Sequence, residues 1–281
     1  MSQEPRIRAQ LLVKTDVSEG LAIFRFALES DFHFEPGQYA TLWLTHRGKT
    51  IPRPYSIASS PSELRVLEFY INLVSEGRLT PSLWDEEMLQ GLRRGDPETL
   101  VTVTGPKGRF TLDPQDPRDL VFVASGTGLA PFISMIRKLH EDSVAGDSQA
   151  FRPRRIIVVH GVSRSANLAY DQELARLAAE TQSNPACRLG LVYLATVSRP
   201  GLDPAWSGLK GRAEALFEPL GQPDSSGLQQ IVRGMLAALL RPETHAVYVC
   251  GHPGTIDSTT HALSVRGFKP DADVKREKYY T

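Results

Sequence analysis

The clearest chemical signal in the sequence is a glycine-rich turn that follows a strongly apolar segment. Val121–Ala124 lead through Ser125 into Gly126-Thr127-Gly128, and Pro131 follows three residues later. Glycines let a backbone turn tightly and approach a ligand closely, and the first turn of a helix presents free N–H groups and a positive dipole end to a phosphate. Proline suits a helix start because its missing N–H is not needed there. An ordinary strand-to-helix turn also fits Gly-x-Gly, but the full context favours a dinucleotide site.

A second candidate site is the tetrapeptide Arg53-Pro54-Tyr55-Ser56, which we expect directly after a barrel strand. It offers a guanidinium for phosphate, a flat ring for stacking and a hydroxyl for hydrogen bonding. On local grounds alone, a surface turn with a packed tyrosine is the better interpretation. Further along, Thr80 in the segment Gly77–Leu83 is predicted to cap the helix that follows. That helix start fits a second phosphate site and a plain cap equally well.

Two arginines that follow hydroxyl or glycine residues are candidates for binding a phosphate monoester. Ser198-Arg199 follow the apolar segment Leu189–Ala195, and Gly211-Arg212 end the segment Ser198–Gly211. A rigid guanidinium beside a hydroxyl can bind the 2′-phosphate of NADP, and arginine is the residue expected to select NADP over NAD. The alternative for each arginine is a solvated surface position.

Two further features lie near the C-terminal end of the sequence. Cys250-Gly251-His252-Pro253-Gly254 end one predicted strand and open a helix, and strand ends in α/β sheets are where ligands bind. No local pattern supplies a base for Cys250, so we do not expect covalent chemistry there, and His252 is predicted to be a loop residue. The adjacent aromatics Tyr279-Tyr280 are unusual at a polar end, although a disordered tail could carry such a pair by chance.

Composition excludes several classes of protein. The 281 residues are 41% hydrophobic and 23% charged, with a formal net charge of zero, which is typical of a globular protein and gives no basic field for nucleic acid. Two cysteines are too few for an iron–sulfur cluster, which needs about four thiolates. Because we find no secretory signal and no apolar run of membrane-spanning length, we expect a cytoplasmic monomer without stable membrane association.

Short segments rich in branched and aromatic residues, separated by turn signals, predict an antiparallel β-barrel in the first part of the chain. One helix is predicted at Ser82–Leu92, where apolar residues recur on one face. The predicted strands are Ala9–Val13, Leu21–Leu28, Tyr39–Leu44, Leu64–Val74 and Leu100–Thr104.

The polar, proline-rich segment Asp113–Pro117 is the predicted domain boundary, which gives domains of residues 1–113 and 118–281. Beyond it, strands alternate with helices, and this predicts an α/β domain with a parallel sheet covered on both faces. Ser198–Gly211 is predicted to be a long loop, and such loops are often functional. The predicted strands are Leu120–Ala124, Arg155–His160, Leu189–Ala195 and Ala246–Cys250, and the predicted helices are residues 131–142, 168–181, 228–240 and 253–265.

Taken in order, these motifs resemble the ferredoxin–NADP reductase family, most closely its bacterial branch. The resemblance implies an antiparallel flavin-binding barrel followed by an α/β pyridine-nucleotide domain, with FAD and NADP(H) as cofactors. The implied activity is a reversible relay in which FAD takes a hydride from NADPH and passes single electrons to ferredoxin or flavodoxin. The resemblance spans about residues 5–281 and is carried by Arg53–Ser59, Leu67–Val74, Gly77–Thr80, Gly126–Phe132, His160–Tyr170 and Cys250–Pro253.

The resemblance also implies roles for individual residues. Arg53 and Thr80 would bind the flavin phosphates, and Tyr55 would stack on the isoalloxazine with Ser56 near its reactive nitrogen. The other implied flavin contacts are Pro54, Ile71, Leu73, Val74, Gly77 and Leu79.

On the nucleotide side, the resemblance places Thr127 and Cys250 beside the nicotinamide. It gives Glu277 a part in proton or electron transfer and lays Tyr279 over the second flavin face. Together with Ser56, the residues Cys250, Glu277 and Tyr279 are the implied catalytic set. The other implied nucleotide contacts are Gly126, Gly128, Arg164, Ser198, Arg199 and Arg212.

Two departures from the family pattern and two alternative functions stay open. Many bacterial relatives carry arginine where this chain has Ser163, and the arginine here is displaced to Arg164. Tyr280 and Thr281 extend past Tyr279, so either tyrosine fits the stacking position. A free-flavin reductase or the reductase component of an oxygenase fits the same motifs, and so does a non-enzymatic flavin- or nucleotide-sensing module.

Overall fold

The computed structural model describes residues 5–46, 48–145, 154–184, 187–218 and 227–278. The chain separates into two compact units. The first contains Met1–Leu112 and Ala130–Lys138, and the second contains Asp113–Leu129 and Leu139–Thr281. The grouping of Ala130–Lys138 with the first unit was not anticipated, and the sequence-based domain limits stay a prediction.

The first unit is built on a six-stranded antiparallel sheet with the strand order β4-β3-β6-β1-β2-β5. Its strands are rich in branched and aromatic residues that suit a pleated, half-buried surface. The elements are β1 (Ile7–Ser18), β2 (Leu21–Leu28), β3 (Tyr39–His46), β4 (Lys49–Ser56), β5 (Val66–Asn72), a 3-10 helix (Thr80–Trp84), α1 (Glu86–Arg94) and β6 (Thr99–Lys107).

The two edges of this sheet meet, so that it closes into a barrel. An isolated antiparallel bridge joins Ile57, just after β4, to Phe69 in β5. The backbone N–H of Ala58 also donates to the carbonyl of Glu68 over 2.8 Å. Closure satisfies strand edges that would otherwise stay open, and it encloses a core that includes Phe24, Phe26 and Phe69. The barrel predicted from the sequence is confirmed.

The helix predicted at Ser82–Leu92 is observed as two shorter elements. A 3-10 helix covers Thr80–Trp84, and α1 begins only at Glu86. Thr80 makes no side-chain cap, so that expectation was wrong. Asp85 caps α1 instead, and its carboxylate accepts a hydrogen bond from the N–H of Met88 over 2.8 Å. Asp85 has the extended backbone of an N-cap, and acidic residues follow in the first turn.

The second unit is built on a six-stranded parallel sheet with the order β10-β9-β8-β7-β11-β12, packed with helices. Near-continuous apolar runs such as Leu120–Ala124 form its central strands, as expected where both faces are buried. The strands are β7 (Asp119–Ser125), β8 (Arg154–Val162), β9 (Leu189–Val197), β10 (Leu209–Lys210), β11 (His245–Gly251) and β12 (Val274–Lys278), and the helices are α3 (Asp171–Ser183), α4 (Gly227–Leu239) and α5 (Pro253–Ser264). The helix that follows β7, α2 (Ala130–Val144), is divided, because its residues Ala130–Lys138 group with the first unit and the remainder with the second.

The strand order of the second unit reverses at β7. From β7 the chain adds β8, β9 and β10 on one side, and it then returns to place β11 and β12 on the other side. In open parallel sheets, the crevice at such a reversal, beyond the carboxyl ends of the strands, is where ligands bind. The carboxyl ends of β7 and β11 carry Gly126-Thr127-Gly128 and Cys250-Gly251, respectively.

Two strands of the second unit were not predicted. β10 is a two-residue strand inside Ser198–Gly211, which was predicted to be an unbroken loop. β12 has the sequence Val-Lys-Arg-Glu-Lys and pairs only with β11 among the described strands. Charged residues are typical of an edge strand because they discourage pairing with other chains. Because β12 is mostly charged, it lacks the alternation of apolar and polar residues by which strands are predicted from sequence.

No helix in the described part of the chain is both long enough and apolar enough to cross a membrane.

Candidate cofactor sites

We expected the tetrapeptide Arg53-Pro54-Tyr55-Ser56 to follow a barrel strand. Instead, it forms the last four residues of β4. β4 is an edge strand, where Pro52 and Pro54 are tolerated because their missing N–H groups are not needed by a second neighbour. Arg53 and Tyr55 emerge on one face of β4, and Pro54 and Ser56 emerge on the other.

Arg53 presents an exposed positive charge at this edge. The hydrogen bond recorded for its guanidinium runs to the adjacent carbonyl of Pro52 over 2.8 Å. No ion pair to Arg53 is found among the described residues. A cation held on a strand without a carboxylate partner is suited to bind an anionic ligand such as a diphosphate.

Tyr55 and Ser56 lie closer to the barrel. The Tyr55 ring is half-buried and packs at 56° to the ring of Phe69, with centroids 6.2 Å apart. This packing fixes one side of the ring, and burial raises the pKa of the Tyr55 hydroxyl above its ordinary value. Ser56 is buried, at 6% exposure. An aromatic ring supported from behind suits stacking on a planar ligand.

A compact loop follows β5 and is closed by Thr80. The Thr80 hydroxyl donates to the carbonyl of Val74 over 3.1 Å and accepts from its N–H over 3.0 Å. The N–H of Gly77 also donates to Val74 over 2.8 Å. Thr80 thus holds both ends of the loop together, and its predicted role at a flavin phosphate stays a prediction. The other predicted flavin contacts lie around this loop, with Ile71 and Leu79 buried, Leu73 half-buried and Val74 exposed.

In the second unit, the glycine-rich turn after β7 is a 3-10 helix, Gly126–Leu129, that runs into α2. Gly126 has a φ of +53°, and no described atom lies within 4 Å of where a Cβ would stand. Gly128 is tightly packed, because a Cβ there would lie 2.3 Å from the carbonyl oxygen of Cys250. The turn therefore presses against the end of β11, and only glycine permits that approach.

The end of β11 presses back on β7 in the same way. Gly251 has a φ of +126°, and a Cβ there would lie 2.4 Å from Oγ of Ser125. The Ser125 hydroxyl also accepts a hydrogen bond from the N–H of His252 over 2.8 Å. His252 caps α5, because its Nδ1 accepts from the N–H of Gly254 over 3.0 Å. The glycines of the two strand ends interlock, and His252 is a capping residue at this junction.

Two of the predicted catalytic residues lie in one row of register partners that runs across the strands of the parallel sheet. Strand register aligns Ala195, His160, Ala124, Cys250 and Glu277 across β9, β8, β7, β11 and β12. Aligned residues of parallel strands project to the same face of the sheet. Cys250 is fully buried and Glu277 is half-buried. With strands about 4.8 Å apart, Cys250 and Glu277 are immediate neighbours.

His160 is the functional candidate that the sequence analysis passed over. It is fully buried, and its Nε2 lies 3.2 Å from the carbonyl oxygen of Gly126 while its Nδ1 lies 3.4 Å from the Tyr193 hydroxyl. Burial lowers the pKa of His160 to about 4. The available signal was a polar residue that directly follows the apolar run Ile156–Val159, two positions before the end of β8.

The loops after β8 and β9 carry the predicted phosphate-binding arginines. Backbone bonds join them, from Ser198 N–H to Val162 over 2.9 Å and from Arg199 N–H to Ser163 over 3.1 Å. The N–H of Ser165 donates to the Asp203 carboxylate over 2.7 Å. Hydrogen bonding from the Ser165 side chain and then from its backbone N–H, with a smaller effect of nearby Arg164, lowers the pKa of the Asp203 carboxylate.

These bonds bring Arg164 and Arg199, both exposed, to neighbouring loops at the carboxyl end of the sheet. Arg212 is also exposed, and its guanidinium lies 3.9 Å from a carboxylate oxygen of the buried Glu214. Tyr279, the predicted stacking residue, and Tyr280 lie outside the described residues, and β12 is described as far as Lys278.

The residues present fit a flavin dinucleotide in the first unit and a pyridine dinucleotide in the second. The first unit offers an exposed guanidinium and a supported aromatic ring on one face of β4. The second offers a glycine turn with open space at Gly126, at the reversal of strand order. Both arrangements suit an anionic, partly planar ligand.

Comparison with known families agrees with this division. Residues 8–112 match the model of the oxidoreductase FAD-binding domain. Residues 122–261 match the model of the oxidoreductase NAD-binding domain.

Among individual relatives, ferredoxin–NADP reductase A of Sorangium cellulosum is 30% identical over 85% of this chain and 75% of its own length. The reductase subunit of an aromatic O-demethylase from Amycolatopsis sp. is 28% identical over 97% of this chain and 69% of its own length. The relatives thus include both a ferredoxin–NADP reductase and the reductase subunit of an aromatic O-demethylase.

The fold has a solved counterpart in a ferredoxin NADP⁺ reductase from Neisseria gonorrhoeae, whose structure contains bound FAD and NADP. The two chains match over their full lengths with a TM-score of 0.72, although only 19% of residues are identical. With matches to both domain models and to ferredoxin–NADP reductase A along most of its length, the chain belongs to the ferredoxin–NADP reductase family of FAD- and NAD(P)-binding oxidoreductases.

Proposed function

We propose that this chain is a ferredoxin–NADP reductase that oxidises NADPH and delivers single electrons to ferredoxin or flavodoxin, and that can run in reverse. The observation that carries the proposal is the pair of adjoining loops after β8 and β9, which expose Arg164 and Arg199 at the carboxyl end of the sheet. Guanidinium groups there favour a nucleotide with a 2′-phosphate over one without it.

The chain's own residues bind and orient the cofactors. Arg53 binds the flavin diphosphate, and Tyr55, supported by Phe69, stacks on one face of the flavin. Ser56 ends β4, buried and on the face opposite to Tyr55, and the resemblance alone would place its hydroxyl near the reactive nitrogen. Bound FAD supplies the conversion between two-electron hydride transfer and one-electron transfer.

In the second unit, Thr127 and Cys250 border the nicotinamide at the junction of β7 and β11. Cys250 is fully buried, and Glu277 is its register partner, so the thiol does not act as a nucleophile. The family resemblance would give Glu277 a part in proton or electron transfer. It would lay Tyr279, or Tyr280, over the second flavin face, from which the ring would move aside when the nicotinamide binds; both tyrosines lie outside the described residues.

The second candidate function is the reductase component of an oxygenase system. The alignment of the Amycolatopsis demethylase reductase subunit with 97% of this chain favours it. Cys187 and Cys250 are both buried, and two cysteines cannot hold an iron–sulfur cluster, which needs about four thiolates. In this alternative, the first acceptor of electrons is an iron–sulfur centre that these 281 residues do not themselves ligate.

Steady-state kinetics separate these functions. We expect the purified protein to be yellow, with absorption bands at about 380 and about 450 nm. It is assayed with NADPH and with NADH as electron donors. The acceptors are a bacterial ferredoxin, a flavodoxin, an oxygenase-type ferredoxin and free FMN. We expect the highest kcat/KM with NADPH and a ferredoxin or flavodoxin. Faster turnover with the oxygenase-type ferredoxin supports the second candidate, and faster turnover with free FMN refutes both.

A colourless protein that cannot be reconstituted with FAD would refute every enzymatic role. Bound flavin without oxidation of NADPH or NADH would indicate a sensing module. We also expect a cytoplasmic monomer, which cell fractionation and sedimentation analysis would check.

A further inference from the structure

His160 connects the glycine turn to the interior of the parallel sheet. Its imidazole is fully buried on β8, next to Ala124 of β7 in the strand register. From there Nε2 reaches the carbonyl oxygen of Gly126 over 3.2 Å, and Nδ1 reaches the hydroxyl of Tyr193 on β9 over 3.4 Å. A single side chain thus links the turn after β7 to two neighbouring strands.

The partners of His160 determine which nitrogen carries the proton. A carbonyl oxygen can only accept, so the nitrogen facing Gly126, Nε2, must donate. The ring is neutral because burial lowers the pKa of His160 to about 4. Nδ1 is then the acceptor, and the hydroxyl of Tyr193 donates to it. Both nitrogens have a partner only in this tautomer.

The bond to Gly126 sets the direction of the following peptide group. In a trans peptide the carbonyl and the N–H point in opposite directions. With the Gly126 carbonyl directed at His160, the N–H of Thr127 points away from His160. Glycine itself does not impose this orientation, because Gly126 at φ +53° has no Cβ to restrict its backbone.

We propose that His160 is a positioning residue for the pyridine nucleotide, which it serves by holding the Gly126–Thr127 peptide group with its N–H facing the ligand. Without His160, the peptide group keeps only the backbone bonds of the 3-10 helix, and a flip would present a carbonyl oxygen to the nucleotide phosphates, which would repel it. The inference rests on the proposed nucleotide role of Gly126-Thr127-Gly128, and it is independent of which protein accepts the electrons.

The test measures NADP⁺ binding to the FAD-loaded full chain by calorimetry, so it does not depend on turnover. His160→Gln keeps an amide N–H₂ near the position of Nε2, whereas His160→Asn is one methylene shorter and does not reach Gly126. We expect the Gln variant to bind NADP⁺ like the natural chain, and the Asn and Leu variants to bind about 10- to 100-fold more weakly, as for a lost hydrogen bond to a charged group. A difference of less than about fivefold between the Asn and Gln variants would overturn the proposal.

His245 provides the matched control. It is also a buried histidine of the parallel sheet, 3% exposed, but it starts β11 at the opposite end from Gly126. We expect His245→Leu to lower the melting temperature and to leave NADP⁺ affinity unchanged. An equal loss of affinity in His245→Leu and His160→Leu would reduce the role of His160 to general stability. If the natural chain does not bind NADP⁺ at all, the proposed function itself fails, which is a separate outcome.

Discussion

Cys250 and Glu277 are register partners on the adjacent parallel strands β11 and β12, although 26 residues separate them in the sequence. Their side chains project from the same face of the sheet, at the level of Ala124 and His160. Two residues assigned to catalysis by resemblance are thus neighbours within a single unit.

If Cys250 and Glu277 act at one place, their substitutions are not additive. We expect Cys250→Ala and Glu277→Gln each to lower kcat, and the double variant to lose less than the product of the single effects. The coupling should be about 0.5–3 kcal/mol, as for residues in contact. The measurement is a double-mutant cycle on kcat with NADPH. Arg276→Gln is the control partner, because Arg276 faces the other side of β12 and pairs with Asp271 over 2.7 Å. If the effects on kcat were additive in both cycles, Cys250 and Glu277 would act independently, which would contradict the prediction.

The two glycines of the nucleotide turn should respond differently to alanine. At Gly128 a Cβ would lie 2.3 Å from the Cys250 carbonyl oxygen, and backbone cannot move aside as a side chain can. We expect Gly128→Ala to abolish measurable NADP⁺ binding. At Gly126 the added methyl meets no described atom, and the cost is that of a left-handed backbone, about 1–2 kcal/mol. Calorimetric titration with NADP⁺ measures both, and equal losses would contradict the tight packing of Gly128 as the cause.

Arg199→Ala is expected to raise KM for NADPH about 10- to 100-fold and to change KM for NADH little, because a charge-assisted phosphate bond contributes about 1.5–3 kcal/mol. Arg176→Ala is the matched control in the same unit, since Arg176 is exposed and pairs with Glu180 over 3.0 Å. Equal effects of Arg199→Ala on the two nucleotides would remove Arg199 from the 2′-phosphate site.

Arg53→Ala should weaken FAD binding by about 10- to 100-fold, through loss of a charge-assisted bond to the diphosphate. The dissociation constant of FAD, measured by flavin fluorescence on the apoprotein, reports the effect. Arg65→Ala is the control, because Arg65 is an exposed arginine of the same unit that pairs with Asp31 over 2.7 Å. An unchanged constant in Arg53→Ala would place the diphosphate elsewhere.

The buried His160 should make the second unit sensitive to mild acid. Above its ordinary pKa of 6.5 the histidine is neutral in both the folded and unfolded states and contributes no pH dependence. Because burial lowers the folded-state pKa to about 4, only the unfolded chain gains a proton as the pH falls below 6.5. The free energy of unfolding therefore decreases through this window, by at most about 3 kcal/mol.

Urea unfolding at about pH 7.5 and about pH 5 tests this expectation on the natural chain and on His160→Gln. The loss of stability on acidification should be smaller in the variant. Burial also lowers the pKa of His245, but that residue is common to both chains and cancels in the comparison. If acidification lowered the free energy of unfolding equally in the natural chain and in His160→Gln, His160 would not be the group that titrates in this range.

The sequence predicted well those elements whose side-chain pattern matches their burial. The apolar run at Leu120–Ala124 and the alternation at Leu21–Leu28 are observed as β7 and β2. It failed where a strand's environment differs from that pattern. β4 carries two prolines and β12 is mostly charged, and both are strands because they lie at sheet edges, which only the tertiary arrangement reveals.

The candidate sites divide in the same way. Gly126, Cys250 and Arg199 were proposed from the sequence because their residue types at strand ends carry a chemical meaning of their own, and their roles stay predictions. The cap assigned to Thr80 was wrong because Asp85 offers a carboxylate at the true helix start. His160 was missed because its importance depends on Gly126 and Tyr193, which lie 34 and 33 residues away. Spacing along the chain does not report such contacts.

For protein engineering, the carboxyl end of the parallel sheet has two parts that differ in how freely they can be changed. In the first part, Gly128 packs against Cys250 and Gly251 packs against Ser125. The β7 and β11 turns each occupy space left by a missing side chain of the other, so they must be exchanged between homologues as a pair. The loops after β8 and β9 are joined by hydrogen bonds such as that between Ser165 and Asp203, and the side chains of Arg164 and Arg199 are exposed, so we expect both loops to tolerate replacement of these arginines. Redesign of coenzyme preference therefore belongs in the β8 and β9 loops, with the interlocked turns left intact.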